Sequence, residues 1–236
     1  MKTGTLYLIP TPIDNRELKD ILLKEDIEKI VKLKNFVVET PKNARRNLGT
    51  LEMETSMREI AMMELSEHTK NNGLRELLKP LYAGEDVGLM SDAGSPSVAD
   101  PGFRLVIEAQ NADILVVPFV GPSSIILALM GSGLNGQSFA FNGYIPKDVE
   151  ELRKRIRLFE SLALKLGQTQ IFMDTPYRNQ KLYEHTVSVC NPNTYLCIAL
   201  NVGGEDGYIK TMSIADWRKN DIQLPKQPCL FLINRI

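Results

Sequence analysis

Val87-Gly-Leu-Met90-Ser-Asp92-Ala-Gly94-Ser95-Pro-Ser-Val-Ala-Asp100-Pro-Gly102 decides the fold of this 236-residue chain. Val87–Met90 carries no charge and reads as a strand buried on both faces, while Phe103–Gln110 reads as a helix. The segment between them is therefore a strand-to-helix loop at the carboxyl edge of a parallel sheet, where open α/β sheets bind ligands. Around it, residues 87–146 hold only five charges (Asp92, Asp100, Arg104, Glu108 and Asp113) and eight of the sixteen glycines. The function is expected in this charge-poor block.

The same alternation extends outward. Thr5–Ile9, Phe36–Val38, Val87–Met90 and Leu115–Val117 read as strands, and Glu17–Leu33, Met57–Leu65, Leu74–Tyr82 and Phe103–Gln110 as helical stretches. Beyond Pro118 the strands are Phe139–Phe141, Gln170–Met173, Tyr195–Leu200, Tyr208–Met212 and Cys229–Ile233. Helices are expected over Val149–Leu166 and Asn179–Val189, with a short one over Ile214–Lys219. The last three strands have only that short helix among them, which predicts a mixed sheet. The expected fold is α/β, with an N-terminal domain over 1–118 and a C-terminal domain over 119–236.

Composition excludes other classes. Lys and Arg total 28 against 29 Asp and Glu, a net charge of −1, so no global field steers the chain to nucleic acid or membrane. The uncharged run 114–146 is broken by Pro118, Gly121, Pro122, Gly131, Gly133 and Gly136, and falls short of the roughly 20 apolar residues of a span. No membrane association is expected. Three scattered cysteines and an N-terminus unlike a secretory signal predict reduced thiols and a cytoplasmic protein. Two histidines and no close cysteine pair argue against a metal. Gly131-Ser-Gly133-Leu-Asn-Gly136 matches a dinucleotide fingerprint, yet it follows a helical run and precedes a strand. It reads as a glycine-terminated helix and turn.

Three strand-end loops carry the chemistry. Asp92 follows a buried strand among small residues, where a carboxylate can accept from ribose hydroxyls or an amino group. Equally, it can cap its own loop in an Asx-turn. Gly121-Pro-Ser-Ser124 opens a helix, with hydroxyls serving as caps or facing a ligand. Tyr7-Leu-Ile-Pro10-Thr-Pro12-Ile13 is stiff and poor in N–H donors, a wall for an uncharged group. Lys42, Arg45 and Arg46 follow the second strand. Arg153, Lys154, Arg155 and Arg157 crowd a helix beside Glu150, Glu151 and Glu160 and read as a solvated face.

Leu6-Tyr-Leu-Ile-Pro-Thr-Pro-Ile13, Ser91-Asp-Ala-Gly-Ser-Pro96, Asp100-Pro-Gly-Phe-Arg-Leu105, Val117-Pro-Phe-Val-Gly-Pro122 and Phe141-Asn-Gly-Tyr-Ile-Pro146 occur in this order in the tetrapyrrole-methylase superfamily. The chain resembles that superfamily over nearly its whole length, and most of all the branch that methylates a ribose 2′-hydroxyl of small-subunit ribosomal RNA. The resemblance implies two α/β domains with a cofactor cleft between them, S-adenosylmethionine as methyl donor, and a homodimer. It implies cofactor contacts at Ile13, Asp92, Ser95, Ser124 and Ile125, completed by backbone around Met173 and Leu200. No catalytic base is identified.

The departures fall on the acceptor side. Where the branch has Ala-Glu-Asp-Thr-Arg, this chain has Val38-Glu-Thr-Pro-Lys42. Phe172-Met-Asp174-Thr-Pro-Tyr177-Arg178 replaces Phe-Tyr-Glu-Ser-x-His-Arg, and Leu200-Asn-Val-Gly-Gly204 replaces Arg-Glu-Leu-Thr-Lys. Asp174, Tyr177 and Arg178 are the candidate acceptor-binding residues. Besides RNA methylation, two alternatives stay open: a small-molecule methyltransferase, and a non-catalytic paralogue that binds the cofactor.

Overall fold

The computed structural model describes residues 2–235. The chain divides into two compact units, Met1–Ser123 and Ser124–Ile236, against the expected division at 118/119.

The first unit is built on the strands β1 (Leu6–Leu8), β2 (Asn35–Val38), β3 (Ala61–Glu64), β4 (Val87–Met90) and β5 (Val116–Pro118). They form one sheet in the order β3-β2-β4-β1-β5, every pairing parallel. Parallel strands need crossovers. Here α1 (Lys24–Ile30), α2 (Pro41–Leu48), α3 (Asn71–Leu77), α4 (Lys79–Tyr82) and α5 (Gly102–Asn111) supply them. Side chains alternate across the pleat. Phe36 and Val38 pack with Ile30, Ala44 and Leu48 on one face. Val37 and Leu89 pack with Leu74, Leu81 and Leu105 on the other. Both faces are thus covered, as the uncharged strands require.

Helix α6 (Ser124–Ser132) opens the second unit, followed by β6 (Phe139–Tyr144), α7 (Val149–Leu166), β7 (Thr169–Met173), α8 (Asn179–Val189), β8 (Tyr195–Leu200), β9 (Tyr208–Ser213), α9 (Ile214–Trp217) and β10 (Cys229–Asn234). The order is β6-β7-β10-β8-β9, so β10 lies at the centre. Only β6 and β7 pair in parallel, and β10 runs antiparallel to both its neighbours, giving the mixed sheet expected. Phe172, Ile198 and Phe231 pack against α7 and α8 through Ile156, Phe159 and Leu182. Ile171, Ala199 and Leu230 pack against α6 through Ile125, Ala128 and Leu129 on the opposite face. Gly133, with φ +69°, follows α6 directly, so the glycine-rich match sits between a helix and β6.

Three elements depart from expectation. The helix over Glu17–Leu33 is a 3₁₀ turn, Leu18–Asp20, and then α1. Asp20 accepts from the Glu17 N–H at 3.3 Å, the reciprocal bond of a capping box that opens this short turn. Leu23 is extended at φ −70°, ψ 146°. The helical stretch over Met57–Leu65 is instead strand β3, which pairs with β2 from Ala61 to Glu64. Methionines favour helix only weakly, and an open sheet edge overrides them. Leu74–Tyr82 is two helices, because Pro80 lacks the N–H that a continuous helix requires.

Candidate functional site

In the first sheet β1 lies between β4 and β5, so the loops after these three strands are neighbours. Thr11 and Gly94 exchange backbone hydrogen bonds at 2.9 and 3.0 Å, joining the β1 and β4 loops. Ser95 Oγ donates to the Pro122 carbonyl at 3.2 Å, joining the β4 and β5 loops. Gly121 presses on the Pro10 ring so closely that a Cβ would overlap it. Ile13 Cγ2 lies 3.5 Å from where a side chain on Gly94 would begin. Ile13, Asp92 and Ser95 are therefore brought together on one loop cluster, lined by small residues that leave backbone within reach of a ligand.

The two readings of Asp92 are separated by its partners. Thr40 Oγ1 donates to Asp92 Oδ2 at 2.8 Å, and the Asp92 N–H donates to Glu39 Oε2 at 3.1 Å. No described residue donates to Asp92 Oδ1. The carboxylate is thus held from β2's end and does not cap its own loop. Asp100 has the capping role instead, accepting from the Ser97 N–H at 2.8 Å and the Gly102 N–H at 2.6 Å. Burial raises the Asp100 carboxyl above its ordinary value. The two N–H donors oppose that shift and nearby Glu39 adds to it. Between them Ser97 and Ala99 stand in the left-handed region at φ 70° and 63°, which costs on the order of 1 kcal/mol each and is held by these bonds.

Glu39 and Thr40 are the residues that sequence reasoning missed at this site. They were visible only as a departure at Val38-Glu-Thr-Pro-Lys42. Contact with Asp92 follows from β2 lying beside β4, a strand order that local patterns do not encode.

In the second unit Met173 ends β7 and Leu200 ends β8, and both flank β10, opposite Leu230 and Cys229. Ser124 and Ile125 open α6, and Ile125 belongs to the cluster against which Met173 packs. Met173 and Leu200 thus end neighbouring strands on either side of β10, with Leu200 packed on the α7 and α8 face and Met173 and Ile125 on the α6 face.

The three acceptor-side candidates part ways. Asp174 is buried, and Arg178 Nη1 lies 3.2 Å from its Oδ2, close enough for an ion pair but not aligned for a hydrogen bond. The same guanidinium donates to the carbonyls of Pro146 at 3.1 Å and Lys147 at 3.4 Å. These two residues are engaged within the fold, while Tyr177 between them projects outward, 78% exposed. Lys42, Arg45 and Arg46 are exposed on α2, and Lys154, Arg155 and Arg157 on α7, with no ion pair among the described residues. The cysteines are free and buried, and burial pushes the Cys197 thiol up to about 11. Among the described residues no acidic, histidine and cysteine cluster could hold a metal, and no helix is long and apolar enough to cross a membrane.

No protein-family model matches the chain. Ribosomal RNA small subunit methyltransferase I of Buchnera aphidicola subsp. Schizaphis graminum is 30% identical over 225 residues, 93% of this chain and 74% of that protein. Its namesake from Vibrio cholerae serotype O1 is 28% identical over 232 residues, 97% and 76% of the two. Against the Micromonospora olivasterospora protein of that name identity is 35% over 176 residues, 75% of this chain, which spans about half (52%) of that relative. Among solved structures, the methyltransferase CobJ matches with a TM-score of 0.63 at 16% identity, covering 99% of this chain and 95% of that one. Uroporphyrin-III-C-methyltransferase from Thermus thermophilus matches with a TM-score of 0.59 at 17% identity, covering 98% and 94%. At such identities the structures establish the fold alone, which is that of the tetrapyrrole methylases. With the sequence relatives and the retained strand-end loops, the conclusion is that this chain belongs to the ribosomal RNA small subunit methyltransferase I family.

Proposed function

We propose that the chain transfers a methyl group from S-adenosylmethionine to a ribose 2′-hydroxyl of ribosomal RNA. One observation carries the cofactor side: Asp92 is fixed by Thr40 and Glu39 at a three-loop junction and has no donor to Oδ1 among the described residues. A hydroxyl or ammonium donor suits that oxygen, and the uncharged loop residues suit a ligand that must approach backbone. The donor set therefore fits the cofactor. Ile13, Asp92 and Ser95 would hold it from the first unit. Ser124, Ile125, Met173 and Leu200 are the second unit's contribution in the same reading. S-adenosylmethionine supplies an activated methyl group on sulfur. The chain's part is to position the acceptor in line and exclude water, which can supply effective molarities on the order of 10⁵ M. RNA as acceptor rests on the relatives' names and on the exposed cations of α2.

In the same reading the protein is cytoplasmic and works as a homodimer. Ile126 and Met130 of α6, 44% and 74% exposed, offer apolar surface for a second copy to cover.

Calorimetry with S-adenosylhomocysteine tests the cofactor side. The expected result is binding that Asp92→Ala weakens by roughly 1–3 kcal/mol, and no binding at all refutes the proposal. Labelled methyl transfer to total RNA, run beside a metabolite extract, tests the acceptor. Label in a metabolite with none in RNA would transfer the assignment to a small-molecule methyltransferase. Binding without any turnover would leave a cofactor-binding paralogue.

A further inference from the structure

Tyr177 has the greatest exposure of any large apolar or aromatic side chain among the described residues, at 78%. Nothing about its backbone is loose. Pro176 sets φ at the first position of the 3₁₀ turn Pro176–Arg178, and the Arg178 N–H closes that turn on the Thr175 carbonyl at 2.9 Å. The Arg178 guanidinium clamps the turn to Asp174 and to the carbonyls of Pro146 and Lys147. On the other side buried Asn179 donates from Nδ2 to the Gln227 carbonyl at 2.7 Å, which ties the segment after α9 to the same turn. That tie brings Lys226 Nζ to 5.4 Å from the centre of the Tyr177 ring. An aromatic ring and an ammonium are thus mounted on two separate segments, each anchored by partly or fully buried groups. Lys147, Lys181 and Lys226 are exposed around the turn and form no ion pair among the described residues. The nearest acid in sequence, Asp174, is buried and already faces Arg178.

A rigid exposed ring beside unpaired ammonium groups complements a ligand that offers π-faces and negative charge together. Single-stranded nucleic acid has both, since its bases stack on aromatic rings while cations follow its phosphates. We propose that Tyr177 is a stacking platform for a nucleobase of single-stranded RNA, with Lys226 and Lys147 taking adjoining phosphates. The inference rests on the RNA reading above and assigns to it an acceptor-side contact made by this chain's own departure from the branch, a tyrosine where the branch has histidine.

Fluorescence anisotropy with a short labelled single-stranded oligoribonucleotide, repeated at several salt concentrations, tests it. Tyr177→Ala is expected to weaken binding roughly 5- to 100-fold with an unchanged salt slope, and Tyr177→Phe to stay within about twofold of wild type. Lys226→Ala is expected to lower the salt slope by about 0.7, as for one lost phosphate contact. S-adenosylhomocysteine affinity and melting temperature should not move in Tyr177→Ala, which separates a platform from a structural role. Wild-type affinity in Tyr177→Ala or in Tyr177→Leu overturns the platform and leaves the methyltransferase reading intact. Equal affinity for a duplex of the same sequence, or equal competition by polyglutamate, overturns single-stranded RNA as the partner. If the wild-type chain binds no RNA and methylates none, the RNA reading itself falls, and the platform with it.

Discussion

Thr40 Oγ1 donates to Asp92 Oδ2 at 2.8 Å, linking the carboxyl ends of two adjacent parallel strands. The bond fixes which carboxylate oxygen stays available, since Oδ2 is occupied and Oδ1 accepts from no described residue. Thr40→Val keeps the shape and removes the donor. The expected outcome is a roughly 3- to 10-fold loss of S-adenosylhomocysteine affinity in calorimetry, the scale of one net hydrogen bond, with a melting temperature near wild type. Thr40→Ser should restore most of the affinity, and a full-affinity valine variant would remove Thr40 from the site.

Gly121 and Pro10 bring a second pair of strand ends into contact. A methyl group on Gly121 overlaps the proline ring, so Gly121→Ala must displace one loop or the other. The expected destabilisation is about 1–3 kcal/mol by denaturant unfolding, the range for overpacking, with a matching loss of cofactor affinity.

Arg178 serves as a clamp. Arg178→Ala leaves the Asp174 carboxylate, with 3% of its side chain exposed, without its counter-charge. The cost is expected at about 2–4 kcal/mol, somewhat below that of breaking a fully buried pair because Arg178 keeps 26% exposure. Amide exchange should rise at Lys147 and Asp148 before it rises in the first unit.

Asp100 sets a dependence of stability on pH. Its folded value lies above its unfolded one, with burial as the main cause. Between the two values the folded chain holds more protons, so stability falls as pH rises through that window and is flat above it. Measured against Asp100→Asn, wild-type melting temperature should decline on raising pH from about 4. A constant difference across the acidic range would contradict the burial argument.

The thiols should be inert in the native state. Cys190 and Cys229 are raised further by burial than Cys197, whose thiol stands at about 11. A thiol-specific reagent at pH about 8 is expected to find no reactive cysteine until denaturant is added, and three afterwards.

Much of this organisation is legible in the residues. Val87–Met90 is uncharged because helices cover both faces of β4, and the small residues after Met90 mark a loop that packs against two others. Phe103–Gln110 reads as a helix, and α5 covers it as Gly102–Asn111. The failures have physical causes. Ala61–Glu64 becomes a strand only because β2 offers an unpaired edge, a partner about 25 residues away that no local period reveals. Glu39 and Thr40 reach Asp92 through the order of strands in the sheet. Arg178 looked free for an acceptor because the carbonyls of Pro146 and Lys147 that engage it lie some 30 residues earlier.

The position of β10 has a consequence for how the protein is made. The five strands of the first sheet lie within the first 118 residues, so that sheet can close as soon as they leave the ribosome. The second sheet cannot. β6 with β7, and β8 with β9, form two separate halves whose inner edges stay bare until Cys229–Asn234 is synthesised and slots between them. Bare strand edges are templates for pairing with other chains. Aggregation during expression should therefore follow the time spent translating residues 201–228, and slow codons there should matter more than slow codons anywhere in the first unit.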